Sequence, residues 1–329
     1  MKHFLMLLAS LISFTLSAQN QIATLSHDGT ITTKYGADAF KTLYKTAVDG
    51  DIITLSSGTF NSPSKIEDKY ITIRGAGMNV GNPNDTYSEP TIITGETSVL
   101  IRKSASNLNL SFEGIIFKDR LNITAQAIQF NKCRLYNVGN SGDMNNSYFL
   151  HCYVDKMGVG SGVYAKIINS VIKSFNGGYT DSNSREFFFI NSIIETSSEP
   201  YYSLGWGARM QNCVIVYTGT DNGYFENSGN TNNLLIGKND GNPFPNCDEG
   251  HPNYVLPQNT NIFEDNSFYK LADDFKGYKG TDGTEVGIYG GPYPFSAAPS
   301  NPQIKKFQVA PKTTADGKLS VDIEISMPN

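Results

Sequence analysis

The chain reads as an all-β solenoid, and three observations predict it: a segment repeated at a near-constant period, a strict inside–outside division within each copy, and a composition suited to short strands and many turns. The repeat is plainest in Lys166–Lys173, Phe189–Glu195 and Met210–Val216, where an Asn precedes a small residue and two β-branched aliphatics. The leading residues, Asn169, Asn191 and Asn212, stand 22 and then 21 positions apart. Weaker copies at Glu113–Phe117, Lys132–Tyr136 and His151–Asp155 precede them, and Asn232–Ile236 follows, making seven. A fixed period in this range on strand-like segments marks units that bury their apolar face by stacking on one another.

Parity assigns the faces. Counting in twos from the small residue gives one column of Gly114, Cys133, Cys152, Ser170, Ser192, Cys213 and Asn233, and a second of Ile116, Leu135, Val154, Ile172, Ile194, Ile215 and Leu235. Neither holds a charge, so both are read as core, because an unpaired charge in so narrow an interior is costly. The columns of opposite parity are mixed and face outward. One of them, Ile115, Arg134, Tyr153, Val171, Ile193, Val214 and Leu234, is mostly apolar, and it calls for a cover.

In composition, 39% of the 329 residues are hydrophobic and 17% charged, with 31 glycines, which fits strands joined by turns. A net charge of −5 without a Lys/Arg cluster argues against a nucleic-acid partner. Residues 1–18 have a short basic start, an apolar run and small residues before a polar stretch, and read as a secretory signal peptide cut near Ala18. No later apolar run is long enough to span a bilayer, so the expectation is a secreted, soluble monomer. Of the four cysteines, Cys133, Cys152 and Cys213 share one column as small apolar fillers. Cys133 and Cys152 fall on neighbouring rungs, close enough for a disulfide.

From residue 35 the order is helix, then strands. Phe40, Leu43, Tyr44, Ala47 and Val48 share a helical face behind Asp38 as N-cap, an N-terminal plug for the open solenoid. Strands at Asp51–Phe60 and Tyr70–Gly77 follow. After Ile236 the spacing predicts that the repeat breaks, with a long loop from Gly237 to Leu256 and a strand resuming at Ile262–Lys270. Gln303–Val309 and Leu319–Ile325 then form a two-strand appendage. The organisation is therefore a solenoid with its cap over 19–299 and an appendage over 300–329.

The helix followed by Gly50–Phe60, Ile71–Gly77 and Phe112–Phe117 resembles the opening of the pectin lyase-like superfamily, and Asp282–Gly291 is similar to the closing segment of many exported bacterial β-helix proteins. Over about residues 36–295 the resemblance implies a right-handed parallel β-helix. It also implies action on, or recognition of, complex polysaccharide. The Asn-Thr-Asp and Arg-x-Lys motifs of polygalacturonases and the Asp-His signature of classical pectate lyases are absent.

Chemistry on such a fold is a patch across rungs, and the richest one combines Lys132, Arg134, His151, Tyr153 and Asp155. A polysaccharide lyase needs a base beside a uronate carboxylate and a cation to neutralise it. His151 or Lys132 would be the base, Arg134 the neutraliser, Tyr153 a substrate contact and Asp155 a ligand for Ca²⁺. A hydrolase would need paired carboxylates, for which Asp181 with Glu186 and Asp273 with Asp274 are the poorer candidates. Tyr201, Tyr202 and Trp206 offer flat rings for a sugar face, the basis of the competing reading as a non-catalytic carbohydrate-binding or adhesive protein.

Overall fold

The computed structural model describes residues 21–80, 89–101, 109–140, 144, 146–158, 164–176, 186–197, 208–220, 225, 229–238, 243–244, 252–265, 267–300, 303–309, 312 and 316–326. They form a parallel β-solenoid of about seven turns. In the first sheet the strands Leu110–Glu113, Ile128–Asn131, Ser147–Leu150, Tyr164–Ile168, Glu186–Ile190 and Ala208–Gln211 stack in parallel. In the second, Ile115–Ala125, Arg134–Asn140, Tyr153–Val154, Val171–Ile172, Ile193–Thr196, Val214–Tyr217 and Leu234–Ile236 do the same.

Between the two strands every coil turns a corner at one residue of positive φ: Gly114 (65°), Lys132 (50°), His151 (52°), Asn169 (44°), Asn191 (46°), Asn212 (58°) and Asn232 (51°). L-residues pay roughly 1–2 kcal/mol for this conformation, and Gly and Asn tolerate it best. The repeated Asn is thus a corner. The next residue, small or polar, points inward, and Cys133, Cys152, Ser170, Ser192, Cys213 and Asn233 are all fully buried. Their polar atoms serve the backbone between rungs: the Ser170 hydroxyl accepts from Cys152 N at 2.9 Å, and Asn233 Oδ1 accepts from Cys213 N at 2.9 Å. Larger core residues stack by type, with Phe112, Phe130 and Phe149 ring to ring at 5.2 and 5.1 Å.

Three expectations are corrected, and the open question of a disulfide is answered. In the first copy Gly114, not Glu113, sits at the corner, so Ile116 pairs with Arg134, while Ile115 and Phe117 enter the core and Ile116 turns outward. A one-residue slip exchanges the faces, and the glycine sets it. Cys133 and Cys152 do not pair. Both are free, their S–H groups donate to backbone carbonyls, and burial raises both thiols, Cys152 to about 12. The solenoid continues past Ile236, because Tyr254–Leu256 pairs in parallel with Leu234–Ile236. Finally, the described residues of 262–270 hold no regular strand, only a bridge from Phe263 to Leu271, and Asp273–Phe275 is a short 3₁₀ turn.

The N-terminal plug is present as α1, Ala39–Thr46, with Ala39, Phe40, Leu43 and Tyr44 buried in the main core. Val48 is 48% exposed, and the Asp38 side chain does not cap the helix, accepting instead from Asn61 Nδ2 at 2.9 Å. A hairpin of Ile22–His27 and Thr30–Tyr35 adds to the plug, its first strand pairing antiparallel with Ile52–Leu55.

The cover for the apolar outward column comes from the chain's own later segment. Ile262, Leu271, Val286, Ile288, Phe295 and Ala297 pack on Val171, Ile193, Val214 and Leu234 in a second hydrophobic cluster outside the solenoid core. This strap runs back along the corners. Lys279 O receives Asn232 Nδ2 (3.0 Å), Thr281 N donates to Asn212 Oδ1 (2.9 Å), and Ile288 O and Gly290 O receive Asn169 Nδ2 (2.9 and 2.8 Å). Gln303–Val309 and Val321–Ser326 pair as the expected antiparallel appendage, with Val321, Ile323 and Ile325 exposed.

Candidate functional site

Two of the side chains expected to do chemistry lie at corners beneath the strap. Lys132 Nζ donates to Ala298 O at 2.9 Å, and His151 Nε2 donates to Tyr293 O at 2.9 Å while its Nδ1 is buried with no partner. Burial, aided by the charge of Lys132, lowers the His151 pKa, and burial lowers that of Lys132. Both side chains extend the series of corner residues that hold the strap by its carbonyls.

Arg134, Tyr153 and Asp155 do come together on the second sheet. The guanidinium lies 3.4 Å from Asp155 Oδ2 and over the rings of Tyr136 (4.5 Å) and Tyr153 (5.0 Å). The column of Asp155, two residues past that of Tyr153, Val171 and Ile193, continues to Lys173 and Glu195, where Lys173 Nζ and the Tyr269 hydroxyl both donate to Glu195 Oε1, at 2.6 and 2.7 Å. Burial and the Glu195 carboxylate push the Tyr269 hydroxyl far up, so it stays a proton donor. The group is a self-neutralising ladder of acids and bases. It does not fit Ca²⁺: a guanidinium and an ammonium occupy the carboxylates, and among the described residues no three carboxylate, imidazole or thiolate groups converge. Asp273 and Asp274 sit in the short turn, where Asp273 pairs with Lys276. Tyr201, Tyr202, Trp206 and Asp181, and the side chain of Glu186, lie outside the described residues.

A different surface is open. On the outer face of the first sheet, register stacks Gln129, Tyr148, Lys166, Phe188 and Arg209 directly above one another. Lys166 Nζ lies between two rings, 5.8 Å from Tyr148 and 6.0 Å from Phe188, and Arg209 Cζ is 5.4 Å from Phe188 on its other side. Lys166 and Arg209 are exposed. A surface pocket of about 390 Å³ opens at this ladder, lined by Asn146, Ser147, Tyr148, Tyr164, Lys166 and Phe188, with Tyr164 42% exposed at its rim. Rings on both sides of a cation fix its position while its charged end stays in water.

This ladder was missed at the level of sequence, though its signal is there. Each member stands three positions before a corner: Gln129 before Lys132, Tyr148 before His151, Lys166 before Asn169, Phe188 before Asn191 and Arg209 before Asn212. Compared with known proteins, the chain matches no family model, no curated protein and no solved structure.

Proposed function

We propose that the protein is exported and recognises an acidic, uronate-containing polysaccharide on the outer face of its first sheet, without cleaving it. The alternating stack of Tyr148, Lys166, Phe188 and Arg209 carries this reading. Held cations answer carboxylates, and the exposed rim of Tyr164 offers a ring to a sugar. The fold is compatible with polysaccharide-acting β-helix proteins, and the resemblance of residues 36–295 to the pectin lyase-like superfamily points the same way. The test is affinity electrophoresis or calorimetry with acidic and neutral polysaccharides. Binding to the acidic ones that weakens with salt and falls about tenfold in Lys166→Gln/Arg209→Gln is expected; equal binding by variant and wild type overturns the reading.

Lyase action is the second reading, favoured by the lowered pKa values of His151 and Lys132, which suit a base. Both groups are committed to the strap, so catalysis would require it to leave. Release of unsaturated uronides, detected by ultraviolet absorbance and abolished in His151→Ala, would establish it.

A further inference from the structure

The pocket at the ladder sets the unit of the glycan that is recognised, an inference that rests on the proposed recognition of acidic polysaccharide. Its lining comes from three neighbouring rungs. Tyr148 pairs with Lys166, and Ser147 before it pairs with Ala165, so Asn146 comes beside Tyr164 one step further back. Tyr148, Tyr164 and Lys166 point outward by parity, and Asn146 completes a two-by-two array with them. Phe188 closes the array from the third rung. One strand spacing by two residues is about 5 Å by about 7 Å, the footprint of a single pyranose ring. At about 390 Å³ the pocket also lies near the lower end of small-ligand sites, which run from roughly 300 to 1,000 Å³. We infer that it is a single-sugar subsite that takes one uronate unit, and that a free hexuronate occupies it without the rest of the polymer.

The positions of the array carry complementary chemistry. The exposed ammonium of Lys166, steadied between Tyr148 and Phe188, answers the carboxylate. Tyr164, two residues back on the same strand and exposed, offers ring area to the C–H face of the sugar and a hydroxyl to its edge. Asn146, exposed across from Tyr164, brings two N–H donors and an acceptor oxygen to neighbouring hydroxyls. A neutral hexose keeps the ring and hydroxyl contacts but lacks the charge. Acetate keeps the charge and lacks the rest. Only a uronate meets all of them together. A flat surface would instead spread its affinity thinly over many sugars, and a single one would then compete poorly with the polymer.

The experiment displaces a fluorescent acidic oligosaccharide from the whole protein with free hexuronate, the parent hexose or acetate at equal ionic strength; each ligand is also titrated alone by calorimetry. Free hexuronate is expected to bind with a Kd on the order of 1 mM. The hexose and acetate are expected to need at least about tenfold more, since each lacks a contact of the charged or ring class. Tyr164→Ala and Asn146→Gly should each weaken free hexuronate about fivefold. Both positions are exposed, and glycine accepts the φ of 56° at residue 146, so folding is retained and is checked by circular dichroism. If the oligosaccharide binds but free hexuronate does no better than hexose or acetate, or neither substitution weakens it, the single-sugar subsite is overturned and acidic-glycan recognition stands. If neither the oligosaccharide nor free hexuronate binds, that recognition falls and the subsite with it.

Discussion

The corners and the first-sheet ladder both carry outward-pointing side chains, one per rung, yet they meet opposite fates. At the corners Asn169, Asn191 and Asn212 are almost wholly buried, because a segment about a hundred residues later lies across them. On the ladder Lys166 and Arg209 stay exposed. The difference follows from side-chain shape. A corner amide is short, sits at a φ that suits it, and presents two N–H donors and an acceptor oxygen to a passing backbone. A Lys or Arg between rings is long and cannot give up its hydration to a carbonyl without loss. Outward parity is therefore not exposure: the same parity buries a corner amide and leaves a ladder cation in water.

Substitution should break this contrast most strongly in the covered column. Ile193 is fully buried between the second sheet and the strap, so Ile193→Ala is expected to cost about 2–4 kcal/mol in urea unfolding. Phe188→Ala on the ladder should cost under about 1 kcal/mol. Equal losses would mean that the strap contributes no more than an open surface.

The corner itself has two parts that mutation can separate. Asn169→Ala removes both hydrogen bonds to the strap and puts a less tolerant residue at φ 44°, for an expected loss of about 2–3 kcal/mol. Asn169→Gly keeps the backbone conformation available and should recover roughly 1 kcal/mol of it. If Gly is no better than Ala, the asparagines are retained for their amides alone.

Much of this architecture was legible because a solenoid writes its geometry as a period. The inward columns followed from parity, and the need for a cover followed from Val171, Ile193 and Val214 facing out. The identity of that cover was not legible: the strap 271–298 has almost no regular structure, and its polar contacts run mainly through backbone carbonyls and N–H groups, which every sequence carries. The slip at Gly114 escaped because the glycine was counted as a core residue, not as a corner. The hairpin before α1 was readable, since Asp28-Gly29 at φ 45° and 78° is a tight-turn pair between alternating strands, and it was passed over. Lys132 and His151 stood out because an ammonium and an imidazole on neighbouring rungs could offer a base and a charge to a ligand. What occupied them was a long-range contact.

Ladder substitutions should sharpen the contrast from the other side. Lys166→Gln/Arg209→Gln is expected to leave unfolding stability within about 0.5 kcal/mol of wild type, because exposed cations over rings contribute little. A larger loss, measured by the same urea titration, would show that the ladder holds the fold and is not held ready for a ligand.

The smallest effect separates two histidines of opposite sign. His151, beneath the strap, has a pKa lowered by burial, so its neutral form is the one the fold accepts. Its contribution is present above the unfolded value near 6.5 and is lost as pH falls through the folded pKa. His27, in the N-terminal hairpin, donates from Nδ1 to Asp51 Oδ1 at 2.7 Å, and that bond raises its pKa, with Asp28 adding to the effect. Its contribution is present below the unfolded value and is lost as pH rises through the folded one. Acid should therefore loosen the strap while tightening the plug. Hydrogen exchange between pH 5.5 and 7.5, corrected for intrinsic rates, reads both ends: the Phe295 amide, bonded to Ile288 O, reports the strap, and the Ser56 amide, bonded to Ile22 O, reports the plug. Protection should fall toward acid at Phe295 and rise at Ser56, with each slope flattened only by His151→Gln or His27→Gln respectively. Slopes of the same sign at both amides, or slopes indifferent to the substitutions, would show that carboxylate protonation governs both ends and that His151 is a passive member of the corner series.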